Sequence, residues 1–438
     1  MVRRNVLHLW MNGQRVGTWS QPSRGDDELR YDPEWIASEQ GRALSLSLPF
    51  LPGSATHRGK IVRSYFDNLL PDSDVIRERI RSRFQTESAA AFELLKVIGR
   101  DCVGALQLLP EDEEPADHRR IDARSLDERE VESLLESTVS DRRFPGTDPG
   151  SVFRISIAGA QEKTALLLED GRWCEPRGST PTTHILKLPL GLVGGMRADM
   201  LDSVENEWLC GRLLEAFEIP VAGSRIVRFG KHTVLAVERF DRRRRPGWIA
   251  RLPQEDFCQA LGVPSTMKYE SDGGPGMKEM LRILHASASS LADRQTFFRA
   301  QVLFWMLAAT NGHAKNFSLF HEKGGAFRLT PLCDVLSAWP VIGKGKNELP
   351  WQKAKLAMAI RGKNVHWKLA EIAHRHWDRV AAMASLGSAG PHLEDLAKRT
   401  PEVVERVAAT LPPRFPVRIR DRILEGLSAQ AARLARGD

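Results

Sequence analysis

Ala309–Phe320, ATNGHAKNFSLF, and the downstream Thr330–Trp339, TPLCDVLSAW, decide how this chain is read. The first stretch closes Gln301–Ala309, QVLFWMLAA, one of the longest apolar runs in the sequence. An uncharged polar turn, TNGH, ending so apolar a helix argues for a site, because such residues seldom close a buried helix without a task. The structural alternative is a helix C-cap, since asparagine and glycine accept left-handed geometry. Asn316 and Asp334 add two oxygen donors of the kind that hard divalent cations take.

Protein kinases place a catalytic-loop aspartate five residues before a metal-binding asparagine, with a second metal-binding aspartate after a short hairpin. That spacing runs here from Asn311 to Asn316 to Asp334, with asparagine at the first position. Phosphoryl transfer asks the protein for oxygen ligands at fixed positions and a carboxylate near the attacking hydroxyl. Asn311 offers an amide instead, uncharged and essentially non-basic near neutral pH.

A chain of 438 residues, 42% hydrophobic and 27% charged, is long enough for two or three packed lobes. Its longest apolar runs reach roughly half of the ~20 residues that span a bilayer, so no membrane span is expected. MVRRNVLHLWMNGQRVG alternates like a strand and lacks the apolar region of a secretory signal, which makes the cytoplasm the expected location. Cys102, Cys174, Cys210, Cys258 and Cys333 lie far apart without zinc-type spacing, so reduced, buried thiols are expected. A net charge of +7 permits a nucleic-acid or acidic-protein partner without requiring one. The run Arg242–Arg245 has no interleaved aromatics and reads first as a solvated turn, with nucleic-acid contact second.

The organisation changes along the chain. The first ~50 residues read as β structure, with Asn12-Gly13 as a turn and ALSLSLPF, 43–50, alternating with period two. Helical periodicity runs from Arg63 to Gly99, broken at Pro71, and the acidic segment Glu111–His118 reads as a linker. A short helix over 126–138 follows. FRISI, KTALLLE, THILKLP, SRIVRFG and HTVLAVERF then read as strands around one helix, Val204–Phe217, an order that matches the ATP-holding lobe of a kinase. From Gln254 onward the chain reads as helical apart from a hairpin around Gly324 and Gly325. The expected divisions are 1–110, 119–250 and 251–438.

Three further segments bear on chemistry. SIAGAQEKTALLL, 156–168, has the small residues of a phosphate-approaching loop, but Glu162 stands where a Walker A loop needs glycine, and a plain hairpin turn competes with the phosphate reading. Lys187 has an apolar strand around it, so its ammonium needs a partner such as an ATP phosphate, unless it lies exposed on an edge strand. Glu205 and Glu207 are the two helical carboxylates available to pair with it. AVERFD, 236–241, sits where a kinase hinge would offer backbone groups to adenine, its alternative being a plain interdomain strand.

Taken together, FRISIAGAQEKTALLL, TPTTHILKLP, LAVERFDRR, RLPQEDFCQALG, KYESDGGPG, TNGHAKNFSLF and LTPLCDVLSAWP, with LSLSLPF and SYFDNLLPDSDVIRERI upstream, resemble the HipA family of bacterial toxin kinases. The resemblance covers nearly the whole chain and weakens beyond about residue 370. It implies an α+β, kinase-like bilobal fold with an additional N-terminal β-rich subdomain and a mainly helical C-terminal lobe, and serine/threonine phosphorylation with ATP and Mg²⁺. By the same resemblance Ser156 is the autophosphorylated serine, Lys187 holds ATP phosphates, and Glu238 and Phe240 offer hinge groups to adenine. Gln254, His313 and Cys333 match nucleotide-contacting positions, although relatives often carry tyrosine where Cys333 stands. Asn316 and Asp334 match the Mg²⁺ ligands, and Asn311 occupies the position of the catalytic aspartate.

The resemblance further implies the toxin half of a toxin–antitoxin pair, with glutamate-tRNA ligase as protein substrate and growth arrest or persistence as outcome. Its implied partner is a small dimeric DNA-binding antitoxin, HipB, which uses the toxin as a corepressor at operator DNA. Asn311 makes the expected activity impaired. The other motif positions are intact, which is what one silencing substitution leaves; natural loss of the base is the other explanation. A non-catalytic, nucleotide-binding scaffold acting with the antitoxin is the alternative function, and the +7 charge fits it.

Overall fold

The computed structural model describes residues 5–22, 24–139, 155–156, 159 and 161–437. Two compact units emerge, Met1–Leu188 with Val227–Thr266 and Leu319–Phe327, and Pro189–Ile226 with Met267–Ser318 and Arg328–Asp438.

The first unit begins with the strands Asn5–Met11 and Gln14–Gln21, joined at Asn12 and Gly13, whose φ values of 46° and 79° are those a two-residue hairpin turn demands. An antiparallel five-stranded sheet runs in the order His57–Arg58, Glu28–Tyr31, Gln14–Gln21, Asn5–Met11, Leu106–Pro110. Leu7, Leu9, Met11, Val16 and Trp19 are buried from the central strands. They share one core with Val62 and Phe66 of the helix Lys60–Asp67 and Phe92, Leu95 and Ile98 of the helix Ala91–Ile98. Trp19 stacks on Phe66 at 3.9 Å between ring centroids.

The expected strand over ALSLSLPF does not form; residues 43–50 are turn and irregular chain. Its polar groups find side-chain and loop partners instead of a neighbouring strand. Ser45 and Ser47 donate to the Gln259 carbonyl, and Leu46 N–H donates to Glu255. The Tyr31 hydroxyl accepts from Leu44 N–H and donates to the Leu48 carbonyl.

A second sheet has the order Ser224–Phe229, His232–Glu238, His184–Lys187, Lys163–Glu169, Arg172–Pro176, Ala123–Ser125, of whose first strand only the last half belongs to this unit. Val131 and Leu135 of the helix Glu128–Val139 pack on Leu166, Leu186, Val234 and Ala236 of its central strands. Arg242–Arg245, expected as a turn, is a strand paired with Trp248–Arg251. Arg242 is drawn inward, its guanidinium bonding Asp101 at 2.9 Å and Asp241 at 3.0 Å. Arg239 and Arg251 also bond Asp101, at 3.1 and 3.2 Å. Burial alone would raise the Asp101 carboxyl, but Arg242, Arg239 and Arg251 with the Thr182 hydrogen bond outweigh it and hold it below the usual carboxylate range. The neighbouring Cys102 thiol is pushed up to about 12 by burial and the Asp101 charge.

The second unit is mainly helical: Ser203–Ala216, Met277–Leu284, Ser290–Met306, His374–Met383, Gly390–Ala408 and Val417–Arg436. Its core holds Phe297, Phe298, Phe304, Trp305, Phe317 and Trp377, all fully buried. One pair of strands, Lys355–Arg361 with Val365–Lys368, was not expected from the sequence. KLAMAIR is buried along its whole interior, and a short continuous apolar run has no period that separates strand from helix. Among the described residues no helix is long and apolar enough to cross a membrane.

Candidate active site

In the second unit the helix Ser290–Met306, buried throughout from Ala300 onward, ends in Leu307 and Ala308, the latter left-handed at φ 49°. The chain then turns through Asn311 and Gly312 into the short 3₁₀ segment Ala314–Asn316. His313 N–H donates to the Asn311 carbonyl and Asn316 N–H to the His313 carbonyl, both at 2.9 Å, so the turn is braced internally. A Cβ on Gly312 would lie 2.4 Å from the Phe304 ring, so this position accepts only glycine without a shift of the core. The C-cap alternative for Asn311 and Gly312 does not hold: the helix is capped at Leu307 and its left-handed residue is Ala308, while neither Asn311 nor Gly312 has a positive φ, so the polar turn is a separate feature beyond the helix end.

Asn316 Nδ2 donates to Asp334 Oδ2 at 3.0 Å. Its Oδ1 is buried with no hydrogen-bond partner among the described residues. An orphaned buried carbonyl oxygen beside a carboxylate is a donor set that fits a hard divalent cation. Asp334 itself has φ 63°, a conformation that costs a non-glycine residue of order 1–3 kcal/mol and persists only where its surroundings impose it. Those surroundings are visible on both sides. Leu332 N–H donates to the Pro220 carbonyl and its own carbonyl accepts from Ala222 N–H, each at 2.8 Å. Asn206, on the helix Ser203–Ala216, clasps Ser337 through both backbone groups at 2.8 Å. Ser337 Oγ donates to the Leu307 carbonyl at 2.6 Å, tying the aspartate segment to the end of the buried helix.

Asn311 Oδ1 accepts from the Tyr269 hydroxyl at 2.5 Å. The Tyr269 ring meets His313 edge-on at 4.8 Å between centroids. His313 is buried and Cys333 half-buried. Tyr269, Asn206 and Ser337 were not singled out in the sequence. Their only local signal was the glycine-rich KYESDGGPG around Tyr269, where a Cβ on Gly274 would come 1.8 Å from the Met267 carbonyl oxygen.

In the first unit Lys187 closes the strand His184–Lys187, which lies between Lys163–Glu169 and His232–Glu238. It is 5% exposed, so the edge-strand alternative does not hold. Glu238 ends the neighbouring strand with its side chain exposed, and Arg239 N–H bonds the Thr183 carbonyl at 2.9 Å. Phe240 packs edge-on against Phe320 at 5.8 Å. Gln254 opens the strand Gln254–Asp256, and its Oε1 is buried with no hydrogen-bond partner among the described residues. Ser156 lies in a two-residue strand parallel to Asp101–Cys102; its side chain, like Ala158 and Ala160, lies outside the described residues. Of the two helical carboxylates in the second unit, Glu207 is buried, and Glu205 is half-buried with its carboxyl raised by desolvation.

The family of the HipA-like C-terminal domain matches residues 155–412 and that of the HipA N-terminal domain residues 7–109. The chain is 34% identical over 411 residues to "Putative kinase Y4mE" of Sinorhizobium fredii, covering 92% of this chain and 91% of that protein. It is 25% identical over 426 residues to the serine/threonine-protein kinase toxin HipA of Shewanella oneidensis, covering 93% and 90%. In fold it matches a chain of the Shewanella oneidensis complex of HipA, HipB and operator DNA, with a TM-score of 0.78, 22% identity and coverage of 98% and 97%. On the strength of both matched domains and a relative aligned over nearly its full length, this chain belongs to the HipA family.

Proposed function

We propose that the chain is an ATP-dependent serine/threonine protein kinase of the toxin–antitoxin type whose transfer step is impaired at Asn311. The observation that carries this reading is the Asn316–Asp334 pair, bonded at 3.0 Å with the Asn316 Oδ1 left over. Asn316 and Asp334 would hold Mg²⁺, which supplies positive charge against that of the transferred phosphoryl group. Lys187 would bind ATP phosphates, Glu238 and Phe240 would present hinge backbone groups to adenine, and Gln254, His313 and Cys333 would line the nucleotide. Ser156 is the proposed autophosphorylation site. Residues 1–110, 119–250 and 251–438 would serve as N-terminal subdomain, ATP-holding lobe and catalytic lobe.

At Asn311 the chemistry stops short. An amide with its oxygen already engaged by Tyr269 has N–H donors to offer a hydroxyl and no basic lone pair for its proton. Nucleotide binding, which needs no proton acceptor at this position, should persist. Asn311→Asp should raise transfer of labelled phosphate by ~10²–10⁴-fold, to Ser156 or to glutamate-tRNA ligase, the proposed substrate. A restored protein that binds ATP and transfers nothing would sink the kinase reading.

The proposed partners are a HipB-type antitoxin and, through it, operator DNA, with growth arrest in the cytoplasm as the biological outcome. Asn311 itself favours a second reading, a nucleotide-binding scaffold that acts only as corepressor. That role predicts operator affinity that requires the antitoxin, falls with salt, and is equal for the Asn311 chain and Asn311→Asp.

A further inference from the structure

Tyr269 is bound to the catalytic turn by two independent contacts, the 2.5 Å hydrogen bond to Asn311 Oδ1 and the edge-on contact with His313. Its own segment is anchored from behind. Glu270, 9% exposed, accepts Ala359 N–H at 2.7 Å and Arg361 Nε at 2.6 Å, fixing the loop to the strand Lys355–Arg361. Gly274 N–H closes the loop onto the Tyr269 carbonyl at 3.0 Å. A tyrosine needs no such support merely to fill space. The arrangement holds one hydroxyl against one functional atom.

From this geometry we propose that Tyr269 is the positioning residue of position 311, setting the rotation of that side chain and thereby which of its atoms meets a substrate hydroxyl. The inference rests on the kinase reading of the site but concerns a residue that reading does not use. With asparagine at 311 the tyrosine ties back the amide oxygen and leaves Nδ2 as the group that meets the hydroxyl, a donor facing a donor. With aspartate at 311 the same hydroxyl bonds one carboxylate oxygen and leaves the second free to accept the proton. One phenol thus has opposite consequences in the two backgrounds: it holds the amide in its unproductive orientation and the carboxylate in its productive one.

The test is a two-by-two comparison of Tyr269→Phe in the Asn311 and Asn311→Asp chains, read as kcat and KM for ATP with labelled phosphate transfer. With aspartate at 311, removal of the hydroxyl should lower kcat about 10–100-fold, since a misplaced reacting group costs that order, with KM for ATP unchanged. With asparagine at 311 it should not lower the residual rate. A loss of the same factor in both backgrounds, a change confined to KM, or no change in either overturns the proposal. A second readout is independent of turnover. The Asn311 side-chain amide signals, identified in a spectrum of the ¹⁵N-asparagine-labelled Asn311 chain by their loss in Asn311→Asp, should shift in Tyr269→Phe; unmoved signals overturn it. If Asn311→Asp is inactive with Tyr269 present, the kinase reading fails and these signals alone decide the role of Tyr269.

Discussion

Asn316 shows how one side chain joins two requirements. Its amide nitrogen fixes Asp334 while its oxygen is left buried and unsatisfied, an arrangement that costs about 1–3 kcal/mol unless a ligand meets it. Asn316→Ala should therefore change thermal stability little without Mg²⁺·ATP yet abolish the stabilisation by Mg²⁺·ATP that the proposed site predicts for the unmodified chain, as read by melting temperature with and without nucleotide. Gly312 is the opposite kind of residue, important for what it lacks. Gly312→Ala pushes a methyl into the Phe304 ring and should cost about 1–3 kcal/mol in urea unfolding, although alanine is the better helix former. At this scale the sequence was legible in part: the spacing of Asn311, Asn316 and Asp334 identified the turn, whereas the Tyr269 hydroxyl, more than forty positions from Asn311, left no local pattern.

Elements were legible where their period was unambiguous. Lys163–Glu169 and His232–Glu238 form as their apolar runs predict, and Asn12-Gly13 turns as that dipeptide does. ALSLSLPF misled because period-two alternation reports only that every second residue is apolar; Leu44 and Leu48 are buried in an irregular chain, but so is Ser45, while Leu46 is half-buried. Its backbone partners, Glu255 and Gln259, are some two hundred positions away and invisible to a local pattern. The Ser203–Ala216 helix illustrates an element whose function is a clasp: Asn206 satisfies both backbone groups of Ser337. Asn206→Ala leaves those buried groups unpaired, and about 2–4 kcal/mol of stability should be lost in chemical denaturation. Asn206→Asp retains the acceptor for Ser337 N–H and should lose less.

Over the whole molecule, the charged network of Asp101, Asp241, Arg239, Arg242 and Arg251 ties segments from distant parts of the chain within the first unit. Asp101→Asn should destabilise by about 3–5 kcal/mol, because it strands buried guanidinium charge. The pH dependence has a definite sign. The Asp101 and Asp241 carboxyls are held below their unfolded values, so their contribution is fully present above about pH 4 and is lost as pH falls below it. The unmodified chain should thus lose stability more steeply than Asp101→Asn on acidification, measured as melting temperature from pH 6 to pH 3. By itself the sequence determined the family, the order of strands around a single helix, and the spacing of the proposed Mg²⁺ ligands, since motif spacing and apolar period are local properties. Only the tertiary structure decided that Arg242 turns inward to Asp101, that Asn206 holds the segment after Asp334, and that Tyr269 engages Asn311. Burial and pairing of polar groups depend on which distant segments meet, and that is a property of the packed chain.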